Sequence, residues 1–211
     1  MVPTKEEWMN ALVIRHGKEL QRAFSSATVA ICGLGGLGSG IAVHLARAGI
    51  GKLMLIDFDR VDVTNLNRQQ YKASQVGMNK TDAMAYNLRE IAPYIALETF
   101  TERITPVNAV NMLRGADVIC EAFDGAEDKA ALANTVLAKL PDKYYVAASG
   151  MAGMGSVNSI RTRRITDKFY LSGDEVSDVS GDIGLVAPRV GICAAHQAHT
   201  VLRILAKQFE I

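Results

Sequence analysis

Short, unbroken apolar runs alternate along the chain with longer stretches in which apolar residues recur at helical spacing. Residues 29–32, 53–56, 118–120 and 144–148 form such runs. Continuous rather than alternating apolar character predicts strands covered on both faces, as in a parallel sheet. Residues 95–101 alternate instead, with Ile95, Leu97 and Thr99 on one face, and predict a further strand. Helical spacing runs over 38–48 with Gly49 as a stop, over 80–91 to just before Pro93, and over 128–140 to just before Pro141. Residues 6–24 predict one or two helices ahead of the sheet. The recurring strand–helix–strand order predicts an α/β fold, with a mainly parallel central sheet flanked by helices and right-handed crossovers.

The character changes after Gly150. Residues 151–156 are a glycine-rich connection, and 158–166 alternate through Ile160, Thr162 and Arg164, predicting extra C-terminal strand. Residues 172–184 are small and polar and predict a mobile loop. Pro188, favoured in a helix's first turn, opens a C-terminal helix in which Cys193, Gln197, Val201, Leu205 and Phe209 recur at helical spacing. The chain divides into a helical segment (1–26), a core (27–150) and an extension (151–211), read together as a single domain.

Composition narrows the function classes. Lys and Arg exceed Asp and Glu by 23 − 22 = 1. Near-neutrality gives no bulk pull towards nucleic acid or anionic membrane, so neither is expected as a partner. The opening residues are polar and acidic, unlike a secretory signal, and no apolar run approaches the length of a membrane span. Cys32, Cys120 and Cys193 are an odd, scattered set, which fits a reducing, cytoplasmic setting. Without a Cys-x-x-Cys pair, no zinc is expected.

Candidate chemistry begins at Gly33-Leu-Gly35-Gly36-Leu-Gly38-Ser39, a G-x-G-x-x-G between a predicted strand and a predicted helix. Glycines there let backbone approach phosphate oxygens, and a helix N-terminus offers unpaired N–H groups. This context predicts a Rossmann-like fold. Asp57 ends the second strand, where a carboxylate can accept both ribose hydroxyls. A dinucleotide-dependent dehydrogenase explains this much equally well. The next segment separates the two: Asp59, Asn65, Arg68 and Gln69 crowd into a dozen residues, and Lys80 opens the following helix. A triphosphate that loses pyrophosphate needs cations at the leaving group, whereas a hydride-transfer cofactor needs few.

These residues resemble the ThiF/MoeB/HesA family, relatives of the ubiquitin-activating enzymes. The likeness rests on Gly33-x-Gly-Gly-x-Gly-Ser39, Asp57-x-Asp59-x-Val61, Asn65-Leu-x-Arg68-Gln69, Lys80, Asp124 after the 118–120 strand, and Gly184-Leu-Val-Ala187-Pro188. The resemblance implies ATP- and Mg²⁺-dependent adenylation of the C-terminal glycine of a small β-grasp carrier ending in Gly-Gly, with release of pyrophosphate. The short chain without zinc cysteines is similar to compact ThiF-like proteins of thiamine biosynthesis, whose carrier is ThiS. Carried over residue by residue, Asp57 holds ribose, Arg68, Gln69 and Lys80 hold phosphates, and Asp124 holds Mg²⁺. Arg15 reaches a partner's site in a homodimer. Lys129 stands near where the family often has arginine, which leaves its phosphate role open. Residues 166–188 lack the reactive cysteine that many members carry there.

A carboxylate nucleophile is already ionised at pH 7, so no general base is required and the absence of a Ser-His-Asp or Cys-His set is no objection. Cys32 and Cys120 read as buried hydrophobes, His196 and His199 as a helix face lacking a third ligand, and Arg161 to Arg164 as a solvated strand face. Three rivals stay open: a dehydrogenase, an enzyme of the tRNA threonylcarbamoyladenosine dehydratase type, and a non-catalytic nucleotide-dependent binding protein.

Overall fold

The computed structural model describes residues 2–178 and 183–210. Helices α1 (Lys5–His16) and α2 (Lys18–Ser26) are parted at Gly17, whose φ of 82° a side chain would resist. Thr4 caps α1 in a reciprocal box with Glu7. There follow β1 (Thr28–Cys32), α3 (Gly36–Arg47), β2 (Lys52–Ile56), α4 (Lys80–Ile91), β3 (Ala96–Phe100), α5 (Ala109–Leu113) and β4 (Val118–Glu121). The chain continues with α6 (Ala126–Lys139), β5 (Tyr144–Ala148), β6 (Arg161–Arg164), β7 (Phe169–Gly173) and α7 (Ala187–Leu205).

The strands form one sheet in the order β3-β2-β1-β4-β5-β7-β6. All neighbours are parallel except β6, which runs antiparallel along β7 at the edge. Strands β1, β2, β4 and β5 are buried at every position after the first residue, and β4 at that one too. Layers on both faces explain this. Val29, Ile31, Leu53 and Leu55 face α3, α4 and α7, while Ala30, Cys32, Met54 and Ile56 face α5 and α6. Helix α7 lies close against α3 because Gly40 leaves room: a Cβ there would sit 3.0 Å from the Ala194 methyl.

The chain winds to one side of β1 through β2 and β3, then crosses to β4 on the other side. Crevices at the carboxyl ends of strands open where the winding reverses, here between β1 and β4.

Several boundaries depart from the sequence expectation. Helix α3 starts at Gly36, inside the glycine motif. The strand expected over 158–166 keeps only Arg161–Arg164, because Ser156 caps a 3₁₀ turn over Val157–Ser159. Ser172 and Gly173 belong to β7, so the loop expected over 172–184 starts later, and its residues 179–182 lie outside the described residues. Strand β7 and helix α5 are five residues each, too short to show a period of their own.

Candidate active site

Strand β1 is followed by Gly33, whose φ of 94° turns the chain sharply. A Cβ there would lie 2.8 Å from the Ala122 carbonyl, so only glycine lets this turn pack against the end of β4. Gly35 caps α3 without a side-chain hydrogen bond, which leaves the first-turn N–H groups of that helix facing the crevice. The crevice is a pocket of about 480 Å³. Gly33, Gly35, Gly36, Asp57, Asp59, Asn65, Arg68, Gln69, Lys80 and Asp124 all line it. Residues scattered over 92 positions (124 − 33 + 1) thus converge because four strand ends and the crossover after β2 meet there.

Asp57 is buried. Its Oδ2 accepts from the Leu34 N–H at 2.6 Å and its Oδ1 from the Asp59 N–H at 2.8 Å, tying the glycine turn to the end of β2. Burial pushes its carboxyl up, against the pull of Lys80 and those two N–H groups. Lys80 is buried at the start of α4, 2.8 Å from Asp59 Oδ2 and 4.0 Å from Asp57 Oδ2. Its ammonium is therefore held in the pocket by two carboxylates.

The segment after β2 turns through a 3₁₀ helix, Val63–Asn65. Asp62 caps it through Thr64, and Asn65 Oδ1 accepts from the Asp62 N–H at 3.0 Å. The Asn65 amide thus serves the turn as well as lining the pocket. Arg68 donates through Nη1 to the Thr64 carbonyl and the Asn67 side chain, but its buried Nε has no hydrogen-bond partner among the described residues. The same holds for the buried Gln69 Oε1. Leaving such groups unpaired costs about 1–3 kcal/mol each.

Two members of the glycine motif do not line the pocket. A Cβ on Gly38 would sit 1.8 Å from the Gly33 carbonyl oxygen, so this glycine serves the contact between helix and turn. Ser39 is fully buried, and its Oγ accepts from the Gln70 N–H at 3.1 Å. It anchors the segment that carries Arg68 and Gln69. Arg15 is exposed in the last turn of α1 and is not among the pocket residues.

Asp124 is exposed on the pocket wall and engages no other side chain among the described residues. Beneath it, Glu121 is buried and takes both 2.9 and 3.0 Å bonds from Lys129 Nζ, which also donates to the Ala148 carbonyl. Burial pushes the Glu121 carboxyl up, opposed by Lys129. The Phe123 N–H donates to Glu121 Oε1 at 2.7 Å and so sets the loop bearing Asp124. The Lys129 ammonium is thus held by Glu121 and the Ala148 carbonyl while lining the same pocket.

All three thiols are buried. The Cys193 thiol is pushed up to about 12, mainly by burial, and its Sγ donates to the Ser172 carbonyl at 3.7 Å. A group held so firmly as the thiol is a poor nucleophile at neutral pH. His196 meets Thr162 through Nδ1 at 3.1 Å and lies in a separate cavity by α7, away from the strand ends. Arg163 pairs with Glu175 and Arg164 with Asp167, both arginines being exposed on the edge strand β6. Among the described residues, no group of three potential metal ligands occurs and no helix is long and apolar enough to cross a membrane.

Arg189 gave no sequence signal beyond its place after Pro188. It is buried, and its guanidinium donates to the carbonyls of Ala152, Gly155 and Ser156 and to Asp174. These bonds fix the glycine-rich connection whose Met151 and Ala152 form one pocket wall. Only the folded chain brings Arg189 to Asp174.

Fold and pocket together define an α/β protein with a polar crevice at the carboxyl ends of its strands. Residues 9–211 match the ThiF family, and the chain belongs to it. It is 30% identical over 191 residues to the adenylyltransferase and sulfurtransferase UBA4 of Lodderomyces elongisporus, across 88% of this chain and 42% of that protein. It is 37% identical over 119 residues to the tRNA threonylcarbamoyladenosine dehydratase of Escherichia coli, across 56% of this chain and 44% of that protein. The sequence matches cover less than half the length of each of these curated relatives. In fold it is similar to the crystal structure of the E. coli dehydratase, TcdA, in complex with ATP, with a TM-score of 0.86 at 22% identity over 99% of this chain and 98% of the other.

Proposed function

We propose that this protein activates a carboxylate by ATP-dependent adenylation, and that the carboxylate is the C-terminal glycine of a small β-grasp sulfur carrier of the ThiS type. The observation that carries this reading is the convergence in one pocket of the glycine turn, the start of α3, Asp57, Arg68, Lys80 and Asp124. Backbone N–H groups and cations there suit phosphate oxygens, and the carboxylate at the strand end suits ribose hydroxyls. The relatives' names, an adenylyltransferase and an ATP-bound dehydratase, support the same nucleotide.

In this reading Asp57 accepts from ribose hydroxyls through lone pairs left beside its two backbone bonds. The N-terminus of α3 and the Arg68 and Lys80 side chains receive the phosphates. Lys80 starts out bound to Asp59, so it is oriented before ligand arrives and spends little entropy in binding. Asp124 fits Mg²⁺ as a solvent-facing carboxylate in the pocket, since this ion takes one or two protein carboxylates and fills its shell with water and phosphate. Bound there, Mg²⁺ would neutralise charge developing on the leaving pyrophosphate. The acceptor carboxylate attacks the α-phosphorus, the bond to the β-phosphate oxygen breaks, and pyrophosphate departs. Arg15, exposed and remote from this chain's pocket, completes the site of a second copy in a homodimer.

One observation favours a second reading. The chain is similar in fold to the E. coli dehydratase structure over 99% of its own length, and in sequence to that dehydratase over 119 residues. A threonylcarbamoyl group also carries a carboxylate, so the same activation would serve on tRNA. ATP–pyrophosphate exchange decides between them. Exchange that requires a carrier ending in Gly-Gly supports the first reading. Exchange that appears only with tRNA bearing threonylcarbamoyladenosine overturns it in favour of the second. A protein that binds NAD and not ATP overturns both.

A further inference from the structure

The pocket has a second end that none of the family's motif residues occupies. Past Asp57, Phe58 lies half exposed at the end of β2. The guanidinium of Arg103, three residues after β3, sits over its ring at 5.3 Å from the centroid. The same guanidinium holds Asp128, in the first turn of α6, through two bonds of 2.9 and 2.8 Å. All three line the pocket. Together they bridge the ends of β2 and β3 to the helix after β4, so one flat cation spans the crevice mouth. Below it the wall is apolar, made by Ile104 and Phe123 of the second core layer.

Geometry assigns the two ends different work. The phosphate groups converge on the glycine turn, and the ribose carboxylate Asp57 stands beside Phe58. A nucleotide laid over them directs its base into the slot between the apolar wall and Arg103. We infer that Arg103, oriented by Asp128 and Phe58, covers a purine base in that slot and sets affinity for the base rather than for the phosphates. A planar guanidinium suits this, because it stacks on an aromatic face while one nitrogen, Nη2, keeps its bonds to both carboxylate oxygens of Asp128. The slot deepens the adenylation reading and rests on it.

The test compares two probes on the full chain, ATP and inorganic triphosphate, each with Mg²⁺, by titration calorimetry. The Arg103 side chain is more than half exposed, so Arg103→Ala leaves the fold in place. It is expected to weaken ATP on the order of 10-fold while leaving inorganic triphosphate unchanged. Arg103→Lys, which keeps the charge but not the plane, is expected to recover little. If Arg103→Ala binds ATP as tightly as the wild type, the slot is overturned and the adenylation reading stands. Equal weakening of both probes also overturns it, because Arg103 would then act on phosphate charge. A wild-type chain that binds inorganic triphosphate but not ATP overturns the adenylation reading, and the slot with it.

Discussion

Replacing Asp174 by Asn tests how the pocket's outer wall is held. The Asp174 and Arg189 side chains are 5% and 3% exposed, so solvent screens their attraction little. Oδ1 of Asp174 accepts from the Val176 N–H at 3.0 Å, the Ser177 N–H at 2.9 Å and the Ser177 hydroxyl at 3.0 Å, while Oδ2 faces Arg189. An Asn amide has one oxygen. In either orientation its NH₂ meets donors, Arg189 on one side or two backbone N–H groups on the other. The buried guanidinium also loses its counter-charge. Breaking such a pair costs about 3–5 kcal/mol. In a chain of this length that lowers Tm by roughly 6–20 °C at pH 7.

The pH dependence has a definite sign. Burial acts to raise the Asp174 carboxyl, but its bonds from Ser177, Val176 and Arg189 outweigh it and hold it below the ordinary aspartate value. A depressed carboxyl contributes stability that is fully present above about pH 4, the unfolded value, and is lost as pH falls through the folded one. The gap between wild type and Asp174→Asn should therefore be constant from pH 7 to about pH 5 and narrow below about pH 4. Scanning calorimetry across that range reads it. A Tm within about 2 °C of wild type at pH 7 would refute the buried-pair argument. The double variant Asp174→Asn/Arg189→Met should fall short of the summed single losses, since the two residues share one interaction.

Two further variants address the chemistry. Asp124→Ala should keep the wild-type Tm, because the side chain is exposed and unpaired among the described residues, yet lose acceptor-dependent pyrophosphate exchange; mixing it with Arg15→Ala subunits should restore part of the activity if the site is shared, and no rescue at any ratio counts against sharing. Cys193→Ala should retain exchange while losing roughly 1 kcal/mol of stability from the core, and loss of exchange in a folded variant would show that the thiol takes part after all.

The sequence by itself determined the first five strands, the glycine turn and the crossover residues. Each is a local matter: an apolar run of four or five, a glycine where the backbone must turn, a carboxylate at a strand end. Asp57 was legible from its place at a strand end, and Arg68 and Lys80 from the crowding of polar groups and the family resemblance; all three line the pocket. Tertiary structure decided which of the motif residues face the pocket. Gly38 and Ser39 share the motif with Gly35 and Gly36, but helical rotation turns them into the protein, where they serve packing. It alone paired Glu121 with Lys129, Arg189 with Asp174 and Arg103 with Asp128 and Phe58. Those partners lie 8 to 45 residues apart and come from different elements. No periodicity links them. Their proximity is a consequence of strand order, which places the ends of β2, β3 and β4 around one crevice. The charged residues of that crevice are a property of the chain, and their convergence is a property of the sheet.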